Sequence, residues 1–276
     1  MRNMTGSAAD AFHGATAGRG PGRLDGRKVL VTGAGSGIGA ASVRRLLAEG
    51  ASVAAADIRS EAATATIHDT AANGSAPRIA LSVDVGDETS VAAAVASTVA
   101  RLGGLDTVVA SAGIALAGNT DSLTLEEWEA VIRINLTGTF LTLKYALPHL
   151  CDSGRGAIVT IGSVASIVAA GRASSYDASK GGVLQLTRAV AVEYADRGVR
   201  ANCVCPGVTA TNLAATSQSI AGKGQSTTPP PLRVQVPMNR VAHPDEIAAV
   251  VAFLCSDDAS FVTGAAIAAD GGYTTV

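Results

Sequence analysis

Eight residues constrain this chain more than any others: Thr32-Gly33-Ala34-Gly35-Ser36-Gly37-Ile38-Gly39, set between an apolar run, Lys28–Thr32, and a segment of helical periodicity, Ile38–Glu49. Glycines let the backbone take positive φ and leave main-chain N–H groups bare. With the positive end of a helix dipole behind them, those groups make a seat for a phosphate. The pattern has that meaning only where a strand feeds a helix, so the rest of the chain must repeat the unit.

It does so from Arg27 onward. Short Val/Ala/Ile-rich runs predict strands at Lys28–Thr32, Ser52–Asp57, Arg78–Val83, Thr107–Ser111, Ala157–Gly162, Arg200–Cys205 and Ala265–Ala268. Helical periodicity lies between them, at Ile38–Glu49, Glu88–Arg101, Glu126–His149, Ser174–Asp196 and Pro244–Cys255. Asp87 can cap the second of these, and Thr124 with Glu127 has capping-box spacing, which places a helix start near Leu125. Each strand is nearly all apolar, as one covered on both faces must be. The alternation predicts an α/β fold: one doubly wound domain over residues 23–276, its seven-stranded parallel sheet flanked by helices on both faces.

Two stretches fall outside this rhythm. Residues 1–22, rich in Gly, Ala and Arg, are expected to form a disordered leader, without the apolar run of a signal peptide or membrane span. The segment 209–237 carries Ser, Thr, Gly, Gln and three consecutive prolines at 229–231. It is too long for a connector and is expected to be a mobile substrate flap.

Aromatic residues are only 3% of a chain that is 47% apolar, so the core must be built from Ala, Val, Leu and Ile. Net charge is -2 with both signs interspersed, which offers no stripe for nucleic acid or an acidic membrane. The expected location is the cytoplasm. Cys151, Cys203, Cys205 and Cys255 lack zinc-site spacing, and His13, His68, His149 and His243 form no ligand cluster with them, so no metal is expected.

Asp57 closes the second strand eighteen residues past Gly39, near the spacing of an acidic ligand for an adenosine ribose. A carboxylate there accepts bonds from the ribose hydroxyls and repels a 2′-phosphate, favouring NAD(H) over NADP(H). Ser36 rather than a basic residue stands in the turn, and Ile58 rather than Arg follows Asp57; Arg59 is the one residue pointing the other way.

Tyr176-Asp177-Ala178-Ser179-Lys180 places a tyrosine and a lysine at i and i+4, on one helix face. A nearby ammonium stabilises phenolate, which predicts a lowered Tyr176 pKa and a usable proton donor and acceptor. Ser163, at a strand end thirteen residues earlier, can hydrogen-bond the same substrate oxygen.

From about Leu24 to Tyr273 the chain resembles the short-chain dehydrogenases/reductases. The resemblance is carried by TGAGSGIG at 32–39, Asp84-Val85, Ser111-Ala112-Gly113, Asn135, Ser163, YDASK at 176–180, Pro206-Gly207 and Asp270-Gly271-Gly272. It implies a Rossmann-like fold with Tyr176 as general acid/base, Ser163 polarising a carbonyl, and Lys180 binding the nicotinamide ribose while tuning Tyr176. Asn135 would hold a water linking Lys180 to solvent. Cofactor contacts are implied at Gly33, Gly35, Ser36, Gly37, Ile38, Gly39, Asp57 and Ile58, at Asp84 and Val85 beside adenine, and at Ser111, Ala112 and Gly113 along ribose and nicotinamide. Pro206, Gly207, Val208 and Thr209 would meet the nicotinamide amide, with Thr211 on the phosphate side. Ser111 departs from the Asn common in the family.

Ile114–Thr120 and Val164–Arg172 are expected to line the rest of the pocket with small and apolar groups. The flap adds few charges, so the expected reaction is hydride transfer between NAD(H) and a secondary alcohol or ketone, cyclic or steroid-like. Two alternatives stand beside it. A β-ketoacyl thioester reductase using NADPH is disfavoured by Asp57, and an idle NAD(H)-binding sensor is disfavoured by the presence together of Ser163, Tyr176, Lys180 and Asn135. The apolar tail and the long helices 126–149 and 174–196 leave surplus apolar face, which, with the family's habit, gives a homotetramer as the expected assembly.

Overall fold

The computed structural model describes residues 22–69, 76–169, 171–213 and 236–276. Seven strands form one parallel sheet in the order β3-β2-β1-β4-β5-β6-β7. They are β1 (Lys28–Thr32), β2 (Ser52–Asp57), β3 (Arg78–Ser82), β4 (Thr107–Ala110), β5 (Gly156–Ile161), β6 (Val199–Pro206) and β7 (Ala266–Ala269). The helices between them are α1 (Gly37–Ala48), α2 (Ser60–His68), α3 (Glu88–Leu102), α4 (Leu125–Ile132), α5 (Gly138–Asp152), α6 (Ser174–Tyr194) and α7 (Pro244–Cys255).

Alternation along each strand sends neighbours to opposite faces. On β1, Leu30 joins the core beneath α3 and α5, whereas Val29 and Val31 join the one beneath α1 and α7. On β2, Ala54 and Ala56 face the first of these cores and Val53 and Ala55 the second. Alanine at such positions lets helices lie close to the sheet, so a chain poor in rings still builds two dense layers.

The predicted strands appear, β1 and β2 with the same ends and the others with ends shifted by one residue. The single predicted helix 126–149 is instead α4, a π-helical turn over Arg133–Thr137, and α5. In that turn Gly138 N–H reaches Arg133 O, one residue further back than in an α-helix. The cause lies in Asn135, whose buried side chain bonds the backbone of a neighbouring loop. Helix α2 carries only three buried residues, Ala63, Thr66 and Ile67, a stripe too short to stand out as periodicity.

In the strand order, β1 is flanked by β2 on one side and β4 on the other. The connections therefore leave the strand ends in opposite directions and open a crevice above their C-terminal edge.

Candidate active site

The crevice is a cavity of about 430 Å³. Every sequence-predicted site residue lines it except Gly35 and Asn135.

At its β1–β2 end the glycine turn is held open. Gly33 has φ +66, and a Cβ there would lie 2.7 Å from the Ala112 backbone; one on Gly39 would lie 2.0 Å from Gly33 O. Ser36 is the N-cap of α1 but makes no side-chain cap bond, and the first turn of α1 has no acidic residue. Bare amides, a free hydroxyl and a helix dipole fit a pyrophosphate. Thr211 closes over the turn, since a Cβ on Gly37 would be 3.2 Å from its methyl carbon.

Asp57 is buried at the end of β2, where Oδ2 accepts from Gly35 N (2.8 Å) and Oδ1 from Arg59 N (3.0 Å). Gly35 therefore serves the site from beneath, by fixing Asp57. Two amide bonds leave the carboxylate further lone pairs for ribose hydroxyls. Ile58 is 56% exposed beside it, an apolar wall for a flat ring. Asp84 and Val85 stand at the same end, and Asp84 Oδ1 accepts from Gly86 N (2.8 Å).

Midway, Thr32 Oγ1 accepts from Ser111 N (3.3 Å) and lies 3.5 Å from Ala112 N, tying the ends of β1 and β4 together. This brace has no motif of its own in the sequence.

At the β5–β6 end sit Ser163, Tyr176 and Lys180. Ser163 Oγ accepts from Ala165 N (3.1 Å), which turns its O–H outward as a donor. Lys180 is buried and donates from Nζ to Ile161 O (2.7 Å), with Nζ 5.6 Å from the Tyr176 ring centre. Burial lowers its pKa to about 8. Tyr176 departs from the sequence expectation: burial raises the phenol above its ordinary value, and the hydrogen bond from Ser163 opposes this without overcoming it. The lysine has been desolvated along with the tyrosine and spends one donor on a carbonyl.

Asn135 stands behind this set. Its Oδ1 accepts from Ile114 N (2.8 Å), while Nδ2 donates to Ile114 O (2.9 Å) and to Ser179 Oγ (2.9 Å). Ser179 Oγ in turn donates to Tyr176 O (2.8 Å). Both side-chain donors of Asn135 are thus spent on clamping the loop after β4 to α6. Only the second lone pair of Oδ1 remains for a water.

At the substrate end, Ile114, Ala115, Leu116, Ala117 and Val164 line the cavity as predicted. Gly118–Thr120 and the described residues of 165–172 do not. Leu213, within the predicted flap, lines it too, whereas Ala173, Ile134 and Tyr273 line it without having been predicted. Tyr273 had one signal, its place directly after Asp270-Gly271-Gly272. Among the described residues no group of three or more His, Cys, Asp or Glu could hold a metal, and no helix is long and apolar enough to cross a membrane.

A family model described as enoyl-(acyl carrier protein) reductase matches residues 33–274. Cis-4-hydroxycyclohexanecarboxylate dehydrogenase of Sinomonas cyclohexanicum is 42% identical over 253 residues, covering 91% of this chain and 97% of its own. D-threitol dehydrogenase of Mycolicibacterium smegmatis is 39% identical over 252 residues, 91% and 94% of the two chains. The chain belongs to the short-chain dehydrogenase/reductase family. The crystal structure of levodione reductase superposes with a TM-score of 0.82 at 38% identity, covering 91% of this chain and 99% of that one. The chain is accordingly an oxidoreductase acting on CH–OH groups, and the short-chain dehydrogenases bind a nicotinamide cofactor.

Proposed function

We propose that this short-chain dehydrogenase interconverts an uncharged, cyclic secondary alcohol and its ketone with NAD(H). One observation carries the reading: Ser163, Tyr176 and Lys180 open into the same cavity as Asp57, so a proton-handling set and a ribose-binding carboxylate occupy opposite ends of one groove. The nicotinamide, when bound, supplies the hydride acceptor or donor.

The protein's own groups divide the remaining work. Ser163 donates its outward O–H to the substrate oxygen. Tyr176 accepts the alcohol proton on oxidation and returns it on reduction. Lys180 keeps two donors after bonding Ile161 O, and these hold the ribose hydroxyls next to the nicotinamide. Asn135 keeps the loop after β4 and the catalytic helix in register. The substrate walls at Ile114, Ala115, Leu116, Val164, Val208 and Leu213 bear no charge, which supports an uncharged ligand. The names of the related dehydrogenases, acting on a hydroxycyclohexanecarboxylate and on threitol, support alcohol oxidation.

The same reading takes 23–276 as one catalytic domain after a leader at 1–22, in the cytoplasm. Its flap is at 209–237, of which 214–235 lie outside the described residues. A homotetramer is supported by the groove between α5 and α6, where Phe140, Leu147, Leu186 and Val190 lie beside Lys144, Glu193 and Arg197, and by Val192 at 82% exposure.

The test is nicotinamide absorbance with NAD+ or NADP+ over a panel of secondary alcohols, on native protein and Tyr176→Phe. Turnover that prefers NAD+ and falls about 100-fold or more in the variant is expected. Tight NADH binding with no turnover on any alcohol would overturn the reading.

A further inference from the structure

The Ser166 hydroxyl touches both halves of the catalytic set. Its Oγ accepts from Ser163 N (3.2 Å) and donates to Lys180 O (2.8 Å). Ser163 Oγ and Ser166 Oγ cap the same short 3-10 turn, Val164–Ser166, reciprocally. The turn is therefore a rigid unit whose far end is pinned to the middle of α6. The Lys180 carbonyl lies inside a long helix, where one lone pair serves the helical ladder; Ser166 uses the other. Access to this position is tight. A Cβ on Gly162 would fall 2.8 Å from Ser166 Oγ and 2.6 Å from Cys203 Sγ, so the glycine before Ser163 makes room for the hydroxyl.

We propose that Ser166 is a positioning residue for hydride transfer, setting the separation between the Ser163 turn and the helix that carries Tyr176 and Lys180. The inference rests on the roles proposed above for Ser163 and Tyr176. Ser163 and Tyr176 must address one substrate oxygen from two different elements, a turn after β5 and a helix. Side-chain bonds from Lys180 to Ile161 O and from Ser166 to Lys180 O join those elements. Of the two, the Ser166 bond alone also holds Ser163 itself. Removing it leaves the turn its Ser163 cap and its backbone bond from Ser166 N to Ser163 O but frees it to drift against α6, which weakens alignment in the transition state more than substrate binding.

The experiment compares native protein, Ser166→Ala and Ser166→Thr, with Tyr176→Phe alongside. The substrate is the fastest secondary alcohol of the panel and its carbon-deuterated form. Ser166→Ala is expected to bind NADH as native does and to keep its KM for alcohol. Its kcat should fall about tenfold, short of the roughly 100-fold that an ångström of misplacement can cost. The deuterium isotope effect on kcat should grow as hydride transfer becomes more limiting, and Ser166→Thr, which restores the hydroxyl, should regain most of the rate. If Ser166→Ala does not fold, Ser166→Gly replaces it. An unchanged kcat would overturn the proposal, as would a threonine variant as slow as alanine, or a fall in NADH affinity that matches the fall in kcat. Native-like activity in Tyr176→Phe would instead sink the reading of the whole site.

Discussion

Asp57 shows what one residue contributes here and how far it could be read in advance. Its place at a strand end past the glycine turn was visible as spacing, and that spacing suggested a ribose ligand. Its second task was not visible, because the bond from Gly35 N–H spans twenty-two positions and exists only once β2 lies beside β1. The carboxylate therefore shapes the turn as well as offering acceptors to the ribose proposed to lie there. Asp57→Asn keeps the shape but removes the charge and one of two acceptors. The ratio of kcat/KM for NAD+ to that for NADP+ is expected to fall about 10- to 100-fold, the worth of a charge-assisted bond. A ratio unchanged in the variant would show that Asp57 does not choose the cofactor.

Elements were legible where local chemistry sets them. The Asp87 cap, accepting from Ser90 N at 2.7 Å, and the capping box of Thr124 and Glu127 stand where the spacing predicted. The sequence reading of α7 as Pro244–Cys255 matches the structure. A further device there went unread: Glu246 accepts from His243 N (2.8 Å) and takes both arms of Arg240 at 2.7 Å. These bonds hold the Glu246 carboxyl at about 2, well below the usual range. A lowered carboxyl stabilises the fold above its unfolded pKa, and this contribution is lost as pH falls toward about 2. Glu246→Gln should cost about 1 kcal/mol, seen as a drop of a few degrees in Tm at neutral pH with activity retained. No change in Tm would show the box to be ornamental. The π turn was illegible for the opposite reason, since it answers to Asn135 bonding Ile114 from another part of the chain.

At the scale of the molecule, the fold decides the protonation of its own site. Tyr176 and Lys180 lie where β5, β6 and the loop after β4 converge on α6, and that convergence buries Lys180 and half-buries Tyr176. The phenol is raised and the ammonium lowered to about 8, so at neutral pH Tyr176 carries its proton. A protonated Tyr176 is ready to donate to a ketone, whereas alcohol oxidation needs the proton removed. The oxidation rate should therefore still be climbing at about pH 10, whereas the reduction rate should stay level from about pH 7 until the phenol ionises above its ordinary range. Steady-state rates in both directions across that range check this. Parallel profiles would mean that another group carries the proton.

The sequence alone determined the class of fold, the glycine turn between β1 and α1, the tyrosine–lysine pair on one helix face and the acidic residue at the end of β2. Each of these rests on contacts within about one turn or one strand-to-helix unit, and such contacts leave a spacing that can be read. Tertiary structure alone decided the π turn at Asn135, the direction in which Tyr176 titrates, the brace from Thr32 to the end of β4, and the bonds by which Ser166 and Ser179 hold α6. Those depend on desolvation and on hydrogen bonds between groups fourteen or more residues apart, which come into being only when the sheet closes the crevice around them.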